Sequence, residues 1–307
     1  MTSPPVILPK LAWVTLVTKA SYLPGAVLLA LSNGIHLPID PLSPPPHNLP
    51  PSLIAARFAD TWTKLRVFEL YKHGGERLVF LDADMLVRRN MDELFDLSLS
   101  LPRDCIAANH ACVCNLDKDS WAPASWTREN CAYTGLLPGD APTRVPARGE
   151  EGKETHTLLN GGLFLFTPFA EQWDAMLRFL AEDERVRTYI FPDQDFLADF
   201  FRDRWRSVGW QYNALKTMRY WHTGFWDDGE VRSLHYIVDK PWSKRVGSDG
   251  IAGYLGRDGV THCWWWEEFD RWEREREEMG KGEILKMMRN EVAKPLELAD
   301  VADRTAL

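Results

Sequence analysis

The apolar run Leu78-Val79-Phe80-Leu81 passes without a break into Asp82-Ala83-Asp84. Four consecutive apolar residues predict a strand buried on both faces, which needs helices on either side and so an α/β domain. Side chains alternate along a strand, so two carboxylates one residue apart at its end emerge on the same side. In open α/β sheets, ligands sit beyond the carboxyl ends of the strands. Two aspartates held together there repel unless a cation lies between them. Mg²⁺ or Mn²⁺ suits such oxygen donors, and diphosphate oxygens commonly complete the shell. The ordinary alternative is that Asp-x-Asp simply closes a turn.

The rest of the chain supplies elements for such a domain. Residues 11–17 (LAWVTLV) predict a second buried strand, and residues 26–31 a helix after Pro24-Gly25. Residues 38–51 hold seven prolines and predict a surface loop. Residues 57–71 predict a helix with Phe58, Trp62, Leu65 and Phe68 along one side. A short helix is expected to begin over 90–95, followed by loop over 101–148, with 150–155 the most polar and mobile part. A strand over 158–168, interrupted by Gly161-Gly162, precedes helices over 169–180 and 193–201. A last short strand spans 234–238. Residues 264–288 read as a surface helix closing the domain.

Charge excludes one class of partner. The 307 residues carry 36 basic and 44 acidic side chains, a formal net charge of −8, with no Lys/Arg block to meet nucleic acid. A diphosphate ligand would therefore need a metal to supply much of its counter-charge. No stretch approaches the roughly 20 apolar residues of a membrane span. The N-terminus lacks the pattern of a signal peptide, and the expectation is a cytoplasmic protein. Five cysteines, an odd number, then read as free thiols in a reducing compartment. Cys112-Val113-Cys114 is too tightly spaced for a zinc knuckle, and no Cys/His pair completes it in sequence, so it reads as structural burial.

Four further residue groups have both an ordinary and a chemical reading. His235 would usually be a satisfied, partly buried histidine, and Lys240 a solvated surface charge. Beside an aspartate pair, the imidazole favours Mn²⁺ over Mg²⁺, and the lysine could neutralise phosphate charge. Asn160-Gly161-Gly162 is either a packing bulge or bare backbone against which a sugar ring lies, with Asn160 bonding its hydroxyls. Asp193-Gln194-Asp195 is either a helix cap with first-turn acids or part of a site.

Taken in order, Thr63-Lys64-Leu65, LVFLDADMLVRRNMDELFD, LNGGLFLFTP, PDQDFLADFF and HYIVDKPW resemble glycosyltransferase family 8, the glycogenin and galactinol synthase relatives. The resemblance runs from Trp13 to Trp242. Residues 58–65 and the Cys112-Val113-Cys114 segment look closer to the galactinol synthase side. The resemblance implies a GT-A fold with a Rossmann-like nucleotide-binding half and a mixed central sheet. It divides the chain into a catalytic domain, 1–242, and a C-terminal helical extension, 243–307. Within the catalytic domain, the nucleotide-binding half covers about 11–100 and the acceptor half about 101–242.

The resemblance further implies a retaining hexosyltransferase that uses a UDP-sugar donor, Mn²⁺, and a sugar, polyol or glycan acceptor. A homodimer is compatible with it. A catalytically inactive binding protein is the alternative. Residue by residue, Asp82, Asp84 and His235 match metal ligands. Leu16, Thr18 and Tyr22 match the first nucleotide-binding loop, with Tyr22 near the uracil. Lys64 and Lys240 match donor-contacting lysines, Asn160 and Gly162 the sugar-side loop, and Asp193 with Gln194 the residues beside the anomeric carbon. Two departures stand out. Lys19 replaces a small polar residue, and the chain goes almost directly from residue 32 to the prolines, where the family has a further strand–helix unit.

Overall fold

Alternation along the two central strands sets the architecture. On β2 (Arg77–Leu81), Leu78 and Phe80 join a core on one face while Val79 and Leu81 join a core on the other. On β5 (Leu159–Phe166), Phe164 and Phe166 face the first core, and Leu163 and Leu165 the second. A sheet buried on both faces must be a middle layer between helices. The protein is described here by a computed structural model that covers residues 7–30, 34–51, 56–140 and 154–294.

In chain order the elements begin with β1 (Leu11–Val14), α1 (Leu23–Ala30), β2, β3 (Met85–Val87), α2 (Glu93–Leu99) and β4 (Ile106–His110). They continue with β5, α3 (Ala170–Glu182), α4 (Pro192–Phe200), β6 (Trp205–Ser207), β7 (Ala214–Leu215) and α5 (Met218–Trp221). The chain closes with β8 (Ser233–His235), α6 (Gly259–Glu278) and α7 (Gly282–Glu291). The main sheet has the order β1-β2-β5-β4-β6, and the smaller one β3-β8-β7. Both are mixed: β1 runs parallel to β2, whereas β5 is antiparallel to both β2 and β4. The α/β class with a mixed sheet is the one expected.

The helix expected over 57–71 is present over Ala56–His73, but it is wound as a 3-10 helix. Trp62, Leu65 and Phe68 recur every three residues, and a 3-10 helix places such positions directly above one another. All three are at most 1% exposed, and Phe68 stacks on Phe164 at 5.9 Å between ring centres. The side chain of Phe58 lies outside the described residues, as does most of the polar segment 150–155.

Three regions differ from expectation. The strand expected to be buried over 11–17 is the shorter β1 at the sheet edge, where pairing on one side alone leaves none of its side chains fully buried. The span 101–148 is not all loop, because it contains β4, a fully buried strand between β5 and β6. Its sequence, Ile-Ala-Ala-Asn-His, is short and ends in polar residues, so it carries little of the β-branched signal of a strand. The C-terminal region forms two helices rather than one, with Gly280 at φ +66° between them. The first is no surface helix: Trp265, Trp266, Phe269 and Trp272 are buried in one core with Leu28 of α1, Leu234 of β8 and Trp242.

Candidate active site

Backbone pairing brings distant segments to the end of β2. Met85 lies opposite His235 in the antiparallel β3–β8 pair, and the amide of Tyr236 donates to the Asp84 carbonyl at 2.9 Å. From the other side, the Asp82 amide donates to the Gly162 carbonyl at 2.8 Å. Helix α1 closes the floor. A Cβ on Gly25 would meet the Ala83 carbonyl oxygen and come within 2.9 Å of the Trp242 ring, so only glycine allows this approach.

His235 is buried and holds its Nε2 3.3 Å from Asp84 Oδ1 and 3.9 Å from Asp82 Oδ2. Its Nδ1 lies 2.9 Å from Asn213 Oδ1. The proton position follows from a backbone amide. Gly162 N–H donates to Asn160 Oδ1 at 3.0 Å, and Asn213 Nδ2 donates to that same oxygen at 2.8 Å. Asn213 must then turn its own oxygen to the imidazole, so Nδ1 carries the hydrogen and Nε2 presents a lone pair to the carboxylates. That is the tautomer a metal ligand needs, with its other nitrogen fixed by a neighbour. The three ligand atoms lie within 4.8 Å of one another, and two carboxylates with one imidazole fit a divalent cation such as Mn²⁺.

Two lysines answer the carboxylates. Lys64, on the 3-10 helix, sits 2.8 Å from Asp82 Oδ1, 2.5 Å from Asp193 Oδ2 and 3.2 Å from the Gly161 carbonyl. Burial works against the Lys64 ammonium, but Asp193 and Asp82 outweigh it and raise its pKa above the ordinary lysine value. Lys240 pairs with Asp84, donates to the Tyr236 carbonyl at 2.7 Å and lies 5.4 Å from the centre of the Tyr22 ring. Burial pushes the Asp84 carboxyl up, yet the Lys240 ammonium prevails and holds it below the usual carboxylate range. Asp82 goes the other way: burial raises it, and Asp84 adds to that against the pull of Lys64. Three carboxylates thus face two ammonium groups, which leaves an excess of negative charge for a cation.

The glycine pair is a bulge and also a close approach. β4–β5 pairing jumps from Ala108 opposite Phe164 to Asn109 opposite Asn160, which lets the Gly161-Gly162 segment arch away from the ladder. A Cβ on Gly162 would lie 2.6 Å from His235 Nδ1 and 2.9 Å from Asn160 Oδ1. Gly161 N–H donates to Gln194 Oε1 at 3.3 Å, and Gln194 lines the cavity beside it. Asp193 does not cap its helix: the N-cap of α4 is Phe191, and the Asp193 carboxylate turns to Lys64.

All twelve residues expected from the sequence line one cavity of about 440 Å³. They are Leu16, Thr18, Tyr22, Lys64, Asp82, Asp84, Asn160, Gly162, Asp193, Gln194, His235 and Lys240. Residues 51–245 match the family model for glycosyl transferase family 8. The chain belongs to glycosyltransferase family 8. Galactinol synthase 5 of Arabidopsis thaliana is 27% identical over 76% of this chain and 64% of its own. Galactinol synthase 2 of Solanum lycopersicum is 27% identical over 74% and 61%. The chain thus spans less than two thirds of the length of these curated relatives. Among solved structures, the glycosyltransferase GlyE of Streptococcus pneumoniae TIGR4 aligns over 71% of this chain and 45% of its own, at 18% identity and a TM-score of 0.42. The galactosyltransferase LgtC, in complex with donor and acceptor sugar analogues, aligns over 72% and 70% at 16% identity and a TM-score of 0.39.

Sequence reasoning missed Asn213 and the aromatic lining of the cavity. Asn213 is 1% exposed, lies in the segment before β7, and belongs to no apolar period or acidic pair. The aromatic part of the lining includes Trp121, Trp126 and Phe191, beside Cys112, with Trp126 and Phe191 stacked at 5.8 Å. No helix among the described residues is long and apolar enough to cross a membrane. Cys112 and Cys114 are not an isolated pair, because Cys131 and His222 meet them.

Proposed function

We propose that this chain moves a hexose from a UDP-sugar to a hydroxyl of a sugar, polyol or glycan, with retention of anomeric configuration. The observation that carries the reading is the convergence of Asp82, Asp84 and His235 Nε2 at the end of β2, with His235 Nδ1 held 2.9 Å from Asn213 Oδ1. Mn²⁺ held by these three would bind the donor diphosphate and offset the charge that grows on it as the sugar leaves. Lys240 and Lys64 are buried cations beside the same carboxylates, suited to donate to phosphate and sugar oxygens as the ion pairs reorganise. Tyr22, with Leu16 and Thr18, offers the base a surface at the β1 end of the cavity. Asn160, Gln194 and Asp193 border the arched glycine segment, where polar groups can hold sugar hydroxyls close to bare backbone.

The galactinol synthase relatives favour galactose as the sugar and a cyclic polyol as the acceptor. Trp126 and Phe191, stacked on each other and lining the same cavity, suit the apolar face of such a ring. A catalytically inactive binding protein is the competing reading, and the presence of every expected side chain in one cavity disfavours it. Incubation with UDP-galactose, UDP-glucose or UDP-N-acetylglucosamine, Mn²⁺ and myo-inositol separates the two. Sugar transfer or slow UDP release that EDTA abolishes is expected. Mn²⁺-dependent UDP binding without turnover of any donor would favour the inactive binder.

A further inference from the structure

Three cysteines and one histidine from separate segments meet beside the cavity. Cys112 and Cys114 follow β4, Cys131 ends the short helix Arg128–Asn130, and His222 caps α5. His222 Nε2 lies 3.3 Å from Cys112 Sγ, 3.2 Å from Cys114 Sγ and 3.7 Å from Cys131 Sγ, and Cys131 Sγ lies 3.8 Å from Cys112 Sγ. One imidazole nitrogen has a single hydrogen or a single lone pair to offer. It cannot satisfy three sulfurs at once. A cation at the centre can.

We infer that Cys112, Cys114, Cys131 and His222 hold a structural zinc ion. With Zn–S near 2.3 Å and Zn–N near 2.0–2.1 Å, a tetrahedral site has S–S edges of about 3.8 Å and S–N edges of about 3.5 Å. The distances here match those edges. Soft thiolates select zinc over the hard cations suited to Asp82 and Asp84. An iron–sulfur cluster spreads its cysteines over several irons and would hold the sulfurs farther apart. With four protein ligands and no open position, the zinc is structural. It ties together a stretch with little regular structure, behind a wall of the cavity that includes Cys112 and Trp121. The site does not depend on which donor the cavity takes.

Elemental analysis of the full chain, purified without added metal or chelator, tests the inference. About one zinc per chain is expected, retained in Asp84→Asn, Cys105→Ser and Cys263→Ser and reduced roughly tenfold or more in Cys131→Ser and His222→Ala. If those last two variants aggregate, the wild type decides. A thiol-specific mercurial should release zinc in step with three protected thiols, and X-ray absorption should show three sulfurs and one nitrogen around it. A folded protein with almost no zinc, with iron instead, or with a mass two hydrogens lighter from a Cys112–Cys131 disulfide would overturn the site. Loss of zinc in Asp84→Asn alone would likewise overturn it, by assigning the ion to the other cluster.

Discussion

Asn213 Oδ1 accepts the His235 Nδ1 hydrogen at 2.9 Å, and through Asn160 the same side chain is anchored to the Gly162 amide. A backbone donor in one strand therefore decides which imidazole nitrogen faces Asp82 and Asp84. Partners of this kind typically contribute 10–100-fold to metal affinity. Asn213→Ala should weaken Mn²⁺ binding by about that factor while the fold persists. Calorimetric titration of Mn²⁺ in the presence of UDP measures it. Affinity equal to wild type would mean that the imidazole needs no such support.

Asp193 pairs with Lys64, which it shares with Asp82. Asp193→Asn keeps the shape and leaves Lys64 paired with Asp82. If Asp193 acts on charge that develops during transfer, turnover should fall by about 100-fold or more with UDP affinity nearly unchanged. A parallel loss of UDP affinity and thermal midpoint, with turnover following them, would reduce Asp193 to a packing role.

Much of this cavity could be read from the sequence, because its residues sit at ends of regular elements. Asp82 and Asp84 follow an apolar run, and Asn160 and Gly162 interrupt one, so period and break are both visible. The 3-10 helix shows its three-residue repeat in Trp62, Leu65 and Phe68, although helical pattern alone did not distinguish it from an α-helix. Asn213, Cys131 and His222 lie in segments without period, and only the fold brings them to their partners. Cys112 and Cys114 are two residues apart, but Cys131 is 17 further on and His222 is 91 beyond that, a spacing with no local signal. β4 is hidden for a related reason, since this short, fully buried strand ends in Asn and His and has Ile106 as its one β-branched residue.

His262 is 2% exposed, lies 3.4 Å from Asp239, and shares its surroundings with the buried Lys216 ammonium and Asp258. Burial first, and then Lys216, depress its pKa to about 4 from the usual 6.5. The folded state thus binds less proton than the unfolded state between those values. The associated stability is complete above about pH 6.5 and is lost as pH falls toward about 4, by no more than about 3.5 kcal/mol at 1.4 kcal/mol per pH unit. His262→Gln should flatten this part of the pH–stability curve, as followed by denaturant titration across that range. A wild-type curve no steeper than that of His262→Gln would remove His262 from the acid response.

β1 is the edge of the main sheet, paired with β2 alone among the described residues. Its outward side chains are apolar: Leu11 is 48% exposed and Trp13 38%, and Val17 beyond it is 40% exposed. An exposed apolar edge favours pairing with another chain. The family resemblance places a further strand–helix unit after residue 32, at a join that lies outside the described residues, and such a unit would cover this edge. Helix α1 needs less help, since Ala26 and Leu28 are already buried. A chain with a family-like strand–helix unit inserted after Ser32 should therefore melt higher and self-associate less. UDP affinity should rise as well, because β1 leads directly to Leu16, Thr18 and Tyr22. Thermal midpoints, sedimentation and UDP titration of both forms measure these effects. If the 307-residue chain is an equally stable monomer with equal UDP affinity, the edge is sufficient as it stands, and no unit is missing from it.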